Sequence, residues 1–452
     1  SFAESEDAAE TPVAVQTPVP TAPPPAPEGA AVAPTAGDTR ITAADLKALK
    51  REVAAQVTEE IKAAVARDLV REIISTLSEK FLGESLAPVV ADATPSTVPE
   101  TVQADAGKAF QVELPNGPTA EERLTAVTAF TIGKEACEVP VWTVRLGASK
   151  GDGGTRGKTH TVGGATVMPF HAWEGAMPHR PLVAMEVFDL VSEKYPVVLR
   201  EQYGELLDNP AEMARVCVEK YGADLISVRL EGTHPEKGNR TADQAVALVK
   251  DVLAAVDVPL IVTGHNHFDK NNTVLKAVAQ ACDGENLLLN WVEQDNYRTI
   301  AGAAVAYGHT LVAQSPIDVN IGKQLNILLT NMDVKPEQIV MDPMTGSLGY
   351  GIEYTYSVME RIRLTGLGGD KMLAGPMLVA PGQECAKTKE MKAAEADFPT
   401  WGDLGKRAAY WELATAVNLL YAGADIMIMY HPEAAMAAKR TIFKLMDGKA
   451  TA

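Results

Sequence analysis

Cysteine is scarce in this 452-residue chain, and its four copies stand far apart, at Cys137, Cys217, Cys282 and Cys385. No two share a C-x-x-C spacing, which excludes a locally templated zinc or iron–sulfur site within the chain. Scattered thiols with no disulfide framework fit a reducing, cytoplasmic setting. Positive charge is short as well. The chain has 41 Lys and Arg against 59 Asp and Glu, a formal net charge of −18. That balance argues against nucleic acid or an anionic membrane as a partner. No apolar run approaches the roughly 18 residues of a membrane span, and no secretory signal is found, so neither spanning nor secretion is expected. A G-x-S-x-G nucleophile elbow is also missing, and with it the usual sign of acyl transfer. The nearest approach to a phosphate loop, 151–159, puts Asp152 where the first glycine is required and is followed by a strand pattern in place of a helix. It reads instead as the mobile tip of a hairpin.

What is present begins with an Ala/Pro-rich stretch, 1–41, including the run Pro23, Pro24 and Pro25. Such a composition cannot bury a core and predicts a disordered, extended tether. Residues 42–83 carry an apolar stripe from Leu46 to Phe81, spaced by about four residues. They predict one amphipathic helix, either packed on its own domain or serving as a docking arm for another protein. A second Pro/Thr/Ala linker, 84–107, follows. Residues 108–180 contain two alternating segments, 141–148 and 159–167, that read as a hairpin leading into the main domain.

From Pro181 onward short apolar runs alternate with helix-period segments eight times: 182–189, 224–231, 259–267, 286–293, 310–318, 338–344, 376–382 and 425–431. Runs this short and this apolar suit strands covered on both faces. Eight units over this length predict an α/β fold, a (β/α)8 TIM barrel over 181–448, preceded by the flexible, partly helical N-terminal extension. Barrel chemistry gathers at the C-terminal strand ends, and the polar residues fall there. His265 and His267 close the third run and lie on one side of it. Asn290 closes the fourth, Gln314 the fifth, Asp342 the sixth and Tyr430 the eighth. The two histidines form only a weak metal pattern, and hydrogen bonding to neighbouring carboxylates is the expected state. Asn290 and Asp342 could together hold the donor–acceptor edge of a pterin, or simply bond loop backbone.

The segments 162–171, 174–181 and 186–189, continued by 259–264, 339–346 and 425–432, resemble the small (delta) subunit of the corrinoid iron–sulfur protein of the CO dehydrogenase/acetyl-CoA synthase system. The likeness covers about 108–448. It implies a barrel paired with a large subunit that holds both the corrinoid and a [4Fe–4S] cluster. The further partners it implies are acetyl-CoA synthase/CO dehydrogenase and a methyltetrahydrofolate/pterin methyltransferase. No Asp-x-His-x-x-Gly corrinoid motif occurs here. The expectation is therefore a chain without its own iron–sulfur cluster, which caps a corrinoid shared at the interface. His265, His267, Asn290, Gln314, Asp342 and Tyr430 are the corrinoid-facing candidates. The alternative is a methyltetrahydropterin:corrinoid methyltransferase that binds the pterin through Asn290 and Asp342.

Overall fold

The computed structural model describes residues 133–447 apart from Ser347 and Tyr350. The expected tether, amphipathic helix and linker all lie outside the described residues. Two three-residue strands come first, β1 (Val144–Leu146) and β2 (His160–Val162), paired antiparallel. The eight apolar runs all become strands. They are β3 (Leu182–Phe188), β4 (Leu225–Arg229), β5 (Leu260–Thr263), β6 (Leu288–Val292), β7 (Thr310–Gln314), β8 (Ile339–Asp342), β9 (Met377–Val379) and β10 (Ala424–Met429). Neighbouring strands pair in parallel, and β10 returns to β3, closing the barrel.

Helices separate the strands: α1 (Val197–Tyr203) and α2 (Pro210–Glu219) after β3, then α3 (Ala242–Ala255), α4 (Phe268–Ala281), α5 (Tyr297–Tyr307) and α6 (Val319–Thr330). The last four are α7 (Glu353–Leu367), α8 (Pro381–Cys385), α9 (Leu404–Ala422) and α10 (Pro432–Met446). Their starts are written in the sequence. Thr241 and Gln244 form a capping box on α3, and Asp318 accepts from the backbone of Asn320 and Ile321 at the start of α6. Ala245, Val249, Val252 and Leu253 then make the buried face of α3. That spacing is a helical stripe laid on the sheet.

Alternation along each strand sorts the core into two layers. Val183, Met185 and Val187 point outward and pack under the helices, as do Ile226 and Val228. Leu182, Ala184 and Phe188 point inward, with Leu225, Ile261, Leu288, Val312, Val340 and Leu378 from the other strands. Val144, Leu146 and Val162 of the β1–β2 pair join this inner layer, so the pair seals the N-terminal end of the barrel.

The loop between β1 and β2 departs from its expected mobility. Arg156 is buried and donates to the carbonyls of Leu253, Val256 and Val258 at 2.8, 2.7 and 3.3 Å. Its Nε meets Glu285 at 3.2 Å. A guanidinium that satisfies three carbonyls and one carboxylate ties the loop to the barrel floor. The glycines around it had suggested freedom, but the one arginine sets the outcome.

Candidate active site at the barrel mouth

Above the apolar interior lies a polar layer at the C-terminal strand ends. Glu186 is its centre, a carboxylate only 1% exposed in the middle of β3. Left unpaired there it would be costly, and the fold surrounds it with donors. Arg229 Nε donates to it at 2.7 Å, Ser227 Oγ at 2.8 Å and the Tyr430 hydroxyl at 2.6 Å. Arg229 also reaches Gln383 Oε1 on α8 at 2.8 Å. This bond crosses above β3 and β10, so it ties the loop after β9 to the end of β4. Beneath it, Phe188 and Tyr195 pack edge-on and tilted against Tyr430. One side of the mouth is thereby closed by an ion pair with aromatic packing.

The layer continues towards the other side. Ser227 Oγ lies 3.0 Å from Thr263 Oγ1, which accepts from Asn290 Nδ2 at 3.1 Å. Register explains the chain of contacts: Glu186 sits opposite Ser227, and Thr263 opposite Asn290. Asn290 Oδ1 is buried and has no partner among the described residues. On the next pair of strands Gln314 donates to Asp342 Oδ2 at 2.7 Å, and the Met344 amide donates to Oδ1 at 2.8 Å. Burial pushes the Asp342 carboxyl up to about 6 in spite of these donors, with Glu384 and Glu293 adding to the rise. Behind the mouth Glu412 is also buried and is pushed up to about 8, accepting from the amides of Tyr430 and His431.

His265 and His267 stand beyond the end of β5, in the loop and at the N-cap of α4. Their Nδ1 atoms accept backbone amides, not the carboxylate bonds the sequence suggested. Among the described residues no three His, Cys, Asp or Glu side chains are grouped to hold a metal ion. The structure thus joins Gln314 to Asp342 and His265 to His267. It links Asn290 to Thr263 and assigns Tyr430 to the closed side. Sequence reasoning missed Glu186, Ser227, Thr263 and Gln383 as members of the layer. The one available signal was a lone carboxylate inside an apolar run, which demands an internal partner. A separate cavity of about 400 Å³, bordered by Asp189, Arg200, Asp208 and Arg240, shares no residue with this layer.

Fold and site together define a (β/α)8 barrel protein with a polar mouth built from strand-end side chains. The family model described as CO dehydrogenase/acetyl-CoA synthase delta subunit matches residues 143–441, and the chain belongs to that family. It is 38% identical over 314 residues to the acetyl-CoA decarbonylase/synthase complex subunit delta of Archaeoglobus fulgidus, covering 68% of each chain. To the subunit of the same name from Methanopyrus kandleri it is 33% identical over 311 residues, covering 68% of this chain and 76% of the other. A solved dihydropteroate synthase from Xanthomonas albilineans aligns with 61% of this chain and 96% of its own at 14% identity and a TM-score of 0.43, too distant to bear on function. Among the described residues no helix is long and apolar enough to cross a membrane.

Proposed function

We propose that this delta subunit is a non-catalytic methyl-carrier component, which caps with its barrel mouth a corrinoid held mainly by a large partner subunit. The partner also carries the [4Fe–4S] cluster. The pair then serves methyl transfer from a methyltetrahydropterin or folate to acetyl-CoA synthase in the reductive acetyl-CoA (Wood–Ljungdahl) pathway. The observation that carries this reading is the chemistry of the mouth. Away from Glu186 it offers amide and carboxyl groups, Asn290, Gln314 and Asp342, with a buried acceptor left over on Asn290. A corrin ring is fringed by carboxamides, which need that mixture of donors and acceptors. His265 and His267 extend the rim, and Tyr430 acts from behind by holding Glu186 against Arg229. The corrinoid supplies a cobalt that accepts and releases the methyl group. This chain's part is to orient the ring and keep water away from it.

The thiols support a chain without its own cluster. Cys217, Cys282 and Cys385 are buried and dispersed, and burial pushes Cys217 to about 12 and Cys282 to about 11, so neither is a ready thiolate. Expressed alone, the chain should hold neither cobalt nor iron by elemental analysis, and mixing with the large subunit should give a one-to-one complex by light scattering. Stoichiometric cobalt in the chain alone would overturn the reading.

One observation favours a second reading. Asn290 Oδ1 and the Asp342 carboxyl are both acceptors within the polar layer, as the N–H edge of a pterin requires. In that case the chain is itself a methyltetrahydropterin:corrinoid methyltransferase. Calorimetric titration with methyltetrahydrofolate separates the two. Saturable binding that is lost in Asn290→Ala supports the enzyme, and no heat supports the carrier.

A further inference from the structure

Three of the chain's eight histidines meet beside the mouth, and no role is assigned to them as a group. His234 belongs to the loop after β4, His265 to the loop after β5, and His267 caps α4. The His234 ring lies 5.0 Å from that of His265 and 5.9 Å from that of His267, and the last two are 6.4 Å apart, centroid to centroid. The three are not grouped to hold a metal ion, and their hydrogen bonds point to a different use. His234 Nδ1 accepts from the Glu236 amide at 3.1 Å. His265 Nδ1 accepts from the His267 amide at 3.2 Å, and His267 Nδ1 from the Lys270 amide at 3.4 Å. A neutral imidazole has one donor and one acceptor nitrogen, so an accepting Nδ1 leaves the hydrogen on Nε2. All three rings therefore offer an Nε2–H donor, and none has a lone pair free for a cation.

The surroundings favour negative charge. His267 starts α4, a 14-residue helix whose N-terminal dipole end is positive. Lys237 and Lys270 lie close enough to act electrostatically on His265. Lys237 is paired with Glu231, and Lys270 bonds the neutral Asn239 Oδ1 at 3.1 Å. Asp269, in the first turn of α4, and the Glu231 carboxylate on Lys237 are opposing charges. His265 is only 4% exposed, and its Nε2 is buried with no partner among the described residues. Asn271 Oδ1 accepts from the His265 amide at 3.2 Å, and Asn271 Nδ2 is likewise buried and unpartnered. Two buried donors without acceptors point to an acceptor that the chain does not itself provide.

We propose that His234, His265 and His267 form a donor-only site for a single anionic oxygen group, a phosphate or a carboxylate, seated at the N-terminus of α4. The site holds whether or not the rest of the mouth faces a corrin. It would fix the anionic end of a ligand or partner group beside the strand-end layer.

The test uses the full chain with 15N-labelled histidine. At a pH of about 8 the nitrogen resonances of these three rings should report the Nε2–H form. Titration with inorganic phosphate and, separately, with acetate should shift them saturably, and the tighter of the two names the ligand chemistry. His234→Phe and His267→Ala, both at partly or fully exposed rings, should weaken anion binding by about tenfold or more. If His265→Phe fails to fold, these two variants still decide the question. A linear, unsaturable response to both anions, or equal affinity in the variants, overturns the proposal. So does one equivalent of Zn2+ shifting all three rings into the opposite tautomer.

Discussion

Asp342 is a mouth residue whose ionisation burial opposes. Its folded pKa is about 6 because burial opposes the charge, while an unfolded aspartate titrates near its ordinary value. A raised carboxyl binds its proton more tightly in the folded state. The stability that this contributes is complete below the unfolded value and is lost as pH rises through about 6. Wild type should therefore lose stability relative to Asp342→Asn on going from pH about 4 to about 8, by up to about 3 kcal/mol. Urea denaturation of both proteins across that range checks it, and parallel curves would show that the carboxyl is solvated. His265 bears on the same window with the opposite sign, because burial pushes it down to about 4. Its contribution is full at neutral pH and falls on acidification, so the Asp342 effect has to be read as a difference between variant and wild type.

At the scale of elements, one buried side chain, Arg156, anchors the loop of the hairpin that seals the barrel floor. Arg156→Ala would leave Glu285 buried without its partner and remove three bonds to carbonyls. Loss of one member of a buried ion pair costs about 3–5 kcal/mol. Arg156→Lys should recover only part of that, since an ammonium cannot reproduce the fork. Equal stability of wild type and Arg156→Ala would mean that the loop is not anchored. The contrast with the strands is instructive. All eight were legible because a strand covered on both faces has to read as a continuous apolar run. Gln314, Asp342 and Tyr430 could be placed at strand ends for the same reason, whereas Asn290, expected there too, lies in the middle of β6. Which of them touch was not legible, because contact depends on register: Gln314 meets Asp342 across β7 and β8, while Asn290 turns to Thr263 on β5. His265 and His267 read as strand residues, but β5 stops at Thr263, and a helix cap claims His267. Glu186 was hidden in plain view, because its partners lie 41 to 244 residues away in the chain.

For the whole molecule, the match to the delta-subunit family begins at residue 143, so the first 107 residues lie outside what the relatives explain. Their sequence reads as tether, amphipathic helix and linker. A helix between two linkers can gain little stability unless its apolar stripe finds a surface. Were that surface on another protein, the tethers would raise the local concentration of the barrel and its proposed corrinoid partner near the proposed methyl donor or acceptor, without any contact at the mouth. The barrel does not need the segment for closure, since the β1–β2 pair already covers its floor. Deleting 1–107 should therefore leave the unfolding midpoint of the barrel and its association with the proposed large corrinoid subunit unchanged. Binding to acetyl-CoA synthase, measured by analytical ultracentrifugation of the reconstituted complex, should weaken by about tenfold or more. If the truncated chain assembles as tightly as the full one, the stripe belongs to its own barrel. A fall in the unfolding midpoint on deletion would then be the expected companion result, since the barrel would lose a packed helix in place of a docking arm.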